Sequence, residues 1–134
     1  MEPDELIERF AFFEDWQERY RYIIDLGMKL VPLAEEHKCE ANKVTGCMSQ
    51  VWLVHSMEEG RVFYKGDSDS HIVKGLISIL LFLYSGKTPS QIIALNIEEV
   101  FRSIGLDQHL SPNRRNGFYS MVGRIRAVAE AGAA

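Results

Sequence analysis

The chain has 134 residues and a mass of 15.3 kDa, a length that fits one domain over 1–134 and leaves no room for a second catalytic one. Hydrophobic residues at 46% and charged residues at 25% can build a core, which excludes a disordered chain. Fifteen Lys and Arg against nineteen Asp and Glu give a net charge of −4, without the cationic excess that phosphate backbones require, so nucleic acid is not an expected partner.

The acidic start, Met1-Glu2-Pro3-Asp4-Glu5, is unlike a secretory signal, which needs a basic opening and an apolar run, and a cytoplasmic location is expected. Leu6, Ile7, Phe10 and Phe13 recur at helical spacing, as do Trp16, Tyr20, Ile23, Ile24 and Gly27. Asp15 with Glu18 three residues on has the form of a helix start, placing a break near Glu14, and Pro32 should end the second helix. Periodicity fades from Glu35 to Gly46, which reads as a loop. Gln50 to Met57 and Arg61 to Lys65 are rich in β-branched and aromatic residues around Glu58-Glu59-Gly60, a β-hairpin pattern.

Every later segment reads as helix. Ile72 to Tyr84 is apolar but only thirteen residues long and carries Lys74, too short for the roughly 20 residues that span a bilayer, so it reads as a buried core helix. Asp67, Ser68, Asp69 and Ser70 offer caps to it. Thr88-Pro89-Ser90-Gln91, Asn96 with Glu99, and Ser111-Pro112 mark three further starts. The expected fold is α+β: a small antiparallel sheet of about three strands packed on several helices.

Familiar cofactor signatures fail. Gly86-Lys87-Thr88 would need glycine at 81 to form a phosphate loop, and Leu81 stands there. Asp67-Ser68-Asp69 opens like a calcium loop, yet Ile72 and Ser78 occupy the positions that need glycine and glutamate. His37, His55, His71 and His109 lack the spacing of metal-ligand pairs, so no metal site is expected. No dinucleotide fingerprint or Gly-x-Ser-x-Gly elbow occurs. With only Cys39 and Cys47, a disulfide scaffold and a four-cysteine metal site are both excluded.

Cys47 stands at the end of the polar loop, after Gly46 and before Met48-Ser49 and the first strand. Glycine permits a sharp turn there, and a loop end lets an incoming sulfur reach the thiol, although free cysteine most often acts as a small buried hydrophobe. Cys39 carries no such signal. If Ser111 caps the last helix, Arg114 falls at its third position, where the dipole disfavours positive charge. Pointing outward, it would meet an acidic or carboxylate-bearing surface.

Three blocks now converge: Thr45-Gly46-Cys47-Met48-Ser49-Gln50-Val51-Trp52, Gly66-Asp67-Ser68-Asp69-Ser70-His71-Ile72-Val73-Lys74-Gly75, and His109-Leu110-Ser111-Pro112-Asn113-Arg114-Arg115-Asn116-Gly117. In this order they resemble the SufE/CsdE family of sulfur-acceptor proteins, and the Gly-Cys-x-Ser-x-Val-Trp block is the most specific. Ser70-His71 and Phe118 stand where small or aliphatic residues are common in that family. The resemblance implies a fold shared with IscU-type scaffolds. It also implies a pyridoxal-phosphate (PLP)-dependent cysteine desulfurase of SufS or CsdA type as partner, with Cys47 as persulfide acceptor and an iron–sulfur scaffold or other sulfur acceptor downstream. The cofactor would be the partner's, and this chain would need none. Gly46, Ser49, Gln50, Asp67, Asp69 and Arg114 become candidates for placing the loop or meeting the partner. Cys47 is expected to rest partly sheltered against apolar residues of its own loop and sheet and to swing out on docking, in a monomer or weak dimer without membrane contact. Two rivals are an adaptor that stimulates the desulfurase without carrying sulfur, and an IscU-like cluster scaffold, which two cysteines serve poorly.

Overall fold

A computed structural model describes residues 2–133. Helix α1 (Pro3–Ala11) starts on a proline, which suits a first helical position because its missing N–H has no partner to lose. Helix α2 (Trp16–Met28) is capped by Asp15, whose carboxylate accepts the Glu18 N–H at 2.8 Å, so the break lies where the chain signals it. The helix ends at Met28, short of Pro32. Two single 3-10 turns, Glu35–His37 and Glu40–Asn42, carry the chain to the hairpin.

Strands β1 (Val51–Glu58) and β2 (Arg61–Ser68) pair antiparallel from Val51 opposite Ser68 to Glu58 opposite Arg61. Their link is Glu59-Gly60, with φ of 51° and 77°, the left-handed pair whose twist suits a two-residue hairpin turn. The expected sheet of about three strands is therefore a two-stranded one. Among the described residues each edge carries only an isolated bridge, Lys43 with Trp52 on β1 and Val62 with Lys87 on β2. Neither extends: Gly46 turns the first segment away with a φ of 88°, and Pro89 begins a helix immediately after the second.

Helices α3 (His71–Tyr84), α4 (Pro89–Ala94), α5 (Ile97–Ser103), α6 (Leu106–His109) and α7 (Pro112–Ala133) follow. Ser70 caps α3 through the Val73 N–H, Thr88 and Gln91 form a reciprocal capping box on α4, and Asn96 caps α5. Ten residues of α3 are buried, as its nearly continuous apolar sequence requires. It lies close against α2 because both contact residues are glycines: a Cβ on Gly75 would sit 2.1 Å from the Ile23 carbonyl oxygen, and one on Gly27 would sit 2.7 Å from the Gly75 nitrogen. Val51, Leu53, Val62 and Tyr64 turn one face of the hairpin into the core that Phe118, Met121, Val122, Ile125 and Ala129 of α7 share. The Tyr64 hydroxyl donates to the Ile125 carbonyl at 2.8 Å, fastening sheet to helix. No helix among the described residues is long and apolar enough to cross a membrane.

Candidate functional site

Between its two anchors the segment preceding β1 makes a short excursion that carries Cys47. On one side the Val44 N–H donates to the Val51 carbonyl at 2.8 Å. On the other, the Gln50 N–H donates to Asp69 Oδ1 at 3.0 Å and the Asp69 N–H returns to the Gln50 carbonyl at 3.3 Å. Residues 45–49 lie between these points. Gly46 gives the turn its left-handed backbone, and a Cβ there would come within 2.6 Å of Ser120 Oγ on α7.

Helix α7 runs beneath this excursion. The Cys47 thiol lies 3.7 Å from the Gly117 carbonyl, a long sulfur contact, and Ser120 sits under Gly46. One turn further, Arg124 donates to the Ala41 carbonyl at 2.9 Å and to the Lys43 carbonyl at 3.4 Å. Positions 117, 120 and 124 share one helix face, so a single straight element tracks the loop from its stem to its thiol. None of these α7 residues was a site candidate in the sequence. The available signal was the small residues Gly117 and Ser120 on the face that also carries Arg124.

Cys47 borders a cavity of about 450 Å³. Val51, Val73, Leu76, Phe118 and Met121 supply its apolar part, and Ser49, Ser111, Asn113 and Arg114 its polar part. Cys47 is partly sheltered, as expected, and besides its own loop and β1, residues of α3 and α7 wall the cavity beside it, with Gly117 of α7 against its sulfur. Burial pushes the thiol above its ordinary value of 9.0, because the thiolate would lose water without gaining a cation in exchange. Met48, next to it, is 81% exposed. Cys39 is also exposed, beside Asn42.

The two aspartates separate. Asp69 holds the loop at Gln50, as described above. Asp67 is only 2% exposed at the end of β2 and does not cap α3, contrary to the capping expected of it. Its carboxylate accepts the Ser68 N–H at 2.8 Å and the Leu33 N–H at 3.1 Å, with the ammonium groups of Lys38 and Lys74 at 3.5 and 3.8 Å. Burial alone would raise its pKa, but these two N–H groups and then the two lysines outweigh it and hold the carboxyl below its ordinary value. Lys38 also stands 5.8 Å from the centre of the Trp52 ring. Asp67 thus ties the segment after α2 to the end of β2 and the start of α3 and does not line the cavity.

Arg114 is exposed at the cavity rim, with its own N–H donating to the Ser111 cap at 3.3 Å. Ser49 lines the cavity, whereas Gln50 is exposed and acts through its main chain. Among the described residues no three His, Cys, Asp or Glu side chains gather closely enough to hold a metal ion.

This arrangement of hairpin, helices and loop occurs in a solved protein. The solution structure of a hypothetical protein from Thermus thermophilus superposes with a TM-score of 0.80 over 98% of this chain and 95% of the other, at 18% identity, which establishes a shared fold. Residues 4–129 match the SufE family, described as an Fe-S metabolism associated domain. The chain belongs to the SufE family, and through it is associated with iron–sulfur metabolism. It is 51% identical to an uncharacterized SufE-like protein of Rhizobium etli, over 98% of this chain and 91% of that one. A second such protein, from Rhizobium meliloti, is 45% identical over 95% and 94%.

Proposed function

We propose that this protein accepts sulfur as a persulfide on Cys47 from a PLP-dependent cysteine desulfurase, stimulates that enzyme, and passes the sulfur on for iron–sulfur cluster assembly. The observation that carries the reading is the placement of Cys47. It is the thiol of the Gly-Cys-x-Ser-x-Val-Trp block, at the tip of a segment anchored at both ends and beside a cavity.

The Cys47 thiolate attacks the outer sulfur of the desulfurase persulfide. A bond forms from Cys47 Sγ to that sulfur, the donor's S–S bond breaks, and the donor cysteine leaves as thiolate with the bonding pair. No net oxidation occurs, so one acceptor thiol suffices. The raised thiol pKa keeps Cys47 weakly reactive in the free protein, and docking lifts residues 45–49 while the anchors at Val44 and Gln50 hold. Arg114, exposed at the rim, is the charged contact for the partner.

Incubation with desulfurase, cysteine and pyridoxal phosphate should add the mass of one sulfur atom to the wild type and to Cys39→Ser, and none to Cys47→Ser. Full stimulation of the desulfurase by Cys47→Ser would favour an adaptor that carries no sulfur. Reversing charge in Arg114→Glu should weaken docking by about tenfold without lowering the melting temperature, since Glu suits the third position of a Ser-capped helix. Unchanged stimulation would remove Arg114 from the interface.

A further inference from the structure

The cavity beside Cys47 is much larger than a persulfide requires. One added sulfur needs roughly the space of a water molecule, about 30 Å³, whereas the cavity measures about 450 Å³. That volume falls within the range of small-molecule sites, about 300–1,000 Å³, and an apolar wall with a few converging polar groups is their usual composition. Its charge is one-sided. Among the described residues no Asp or Glu lines the cavity, while Arg114 does, and its guanidinium has no hydrogen-bond or ion-pair partner there. Asn113 and Ser111 lie with it at the start of the 22-residue helix α7, the end at which a helix favours anions. Cys47 supplies the reacting atom in the same space.

We infer that this cavity binds a free alkyl hydropersulfide bearing a carboxylate, a second route by which Cys47 is loaded without a protein donor. The inference rests on Cys47 being the sulfur-accepting thiol. The carboxylate meets Arg114, the short alkyl chain lies against Val73 and Leu76, and the outer sulfur reaches Cys47. The Cys47 thiol gives its proton to water and the thiolate attacks the outer sulfur. The Cys47–sulfur bond forms as the ligand's S–S bond breaks, and the small thiolate leaves with the electron pair and takes up a proton. A cysteine inside a protein donor offers no free carboxylate at this position, which separates the two sources of the same persulfide chemistry.

The test loads the intact protein with cysteine hydropersulfide or with its methyl ester, without desulfurase, and follows sulfur gain at each cysteine by mass spectrometry. The acid should load Cys47 about tenfold faster than the ester, the value of one charge-assisted contact. At the exposed Cys39 the acid should show no such advantage. Arg114→Gln, which removes the charge from an exposed side chain, should abolish the preference at Cys47 while loading by the ester continues. Equal acid-to-ester ratios at Cys47 and Cys39, or a preference that survives in Arg114→Gln, would overturn the inference and leave transfer from a desulfurase standing. Should a desulfurase fail to load Cys47 while the free acid succeeds, the protein-donor reading falls and the small-molecule site stands.

Discussion

Asp67 shows how much one side chain organises without touching the thiol. Its carboxylate gathers the Leu33 and Ser68 N–H groups and faces Lys38 and Lys74, which joins the segment after α2, the end of β2 and the first turn of α3. Asp67→Asn removes the negative charge while keeping an acceptor oxygen. The two lysine side chains remain 23% and 30% exposed and can return to water, so the loss should be about 1–3 kcal/mol at neutral pH, less than for a fully buried pair. The carboxyl is held below its ordinary value of 3.8 in the fold. Its contribution is therefore complete well above that value and is lost as pH falls through the lower, folded value. Urea denaturation should show a gap between wild type and variant that narrows below about pH 4. A gap that is constant with pH would mean that the charge contributes nothing. Neither the burial of Asp67 nor this role was legible in the sequence. Gly-Asp-Ser-Asp-Ser before an apolar run looks like a choice of caps, and the partners that distinguish Asp67 from Asp69 lie far away in the chain, at Leu33 and Gln50.

At the scale of elements, the loop and helix α7 form one unit. Gly117, Ser120 and Arg124 meet residues 41–47 along one face, and Arg124 alone holds two carbonyls of the loop stem. Replacing it by methionine keeps an apolar stem and removes the donors. If the loop lifts as proposed, Arg124→Met should ease that lifting and raise the rate of Cys47 alkylation by about tenfold. The exposed Cys39, read in the same mass spectrum, serves as the unchanged reference. Equal Cys47 rates in the two proteins would show that the anchors at Val44 and Gln50 suffice. Local signals were readable wherever chemistry acts over three residues, as at the Asp15, Thr88 and Asn96 caps and in the Glu59-Gly60 turn. Arg124 was not readable, because its hydrogen bonds span 81 and 83 residues and the surrounding helical pattern gives no sign of them.

In the molecule as a whole, a two-stranded sheet gains its stability from the helices laid on it, since an isolated hairpin is marginal in water. The β-branched and aromatic content of β1 and β2 around Glu58-Glu59-Gly60 and the apolar run of α3 made the α+β class legible, but single bridges at both sheet edges cannot be told from a third strand by composition. The position of Cys47 in its motif block was equally plain. Its cavity was not, since Val73, Leu76, Phe118 and Met121 look like ordinary core positions until α3 and α7 are brought together around the loop. That assembly yields a small acidic protein with one sheltered thiol on a tethered loop, and in the proposed function the carbon–sulfur chemistry is left to a partner desulfurase. The most direct test is the mass of the protein after incubation with a cysteine desulfurase, cysteine and pyridoxal phosphate. Sulfur bound at Cys47 in the wild type, and absent from Cys47→Ser, is the predicted result. Persulfide formed in Cys47→Ser at the wild-type level would contradict it.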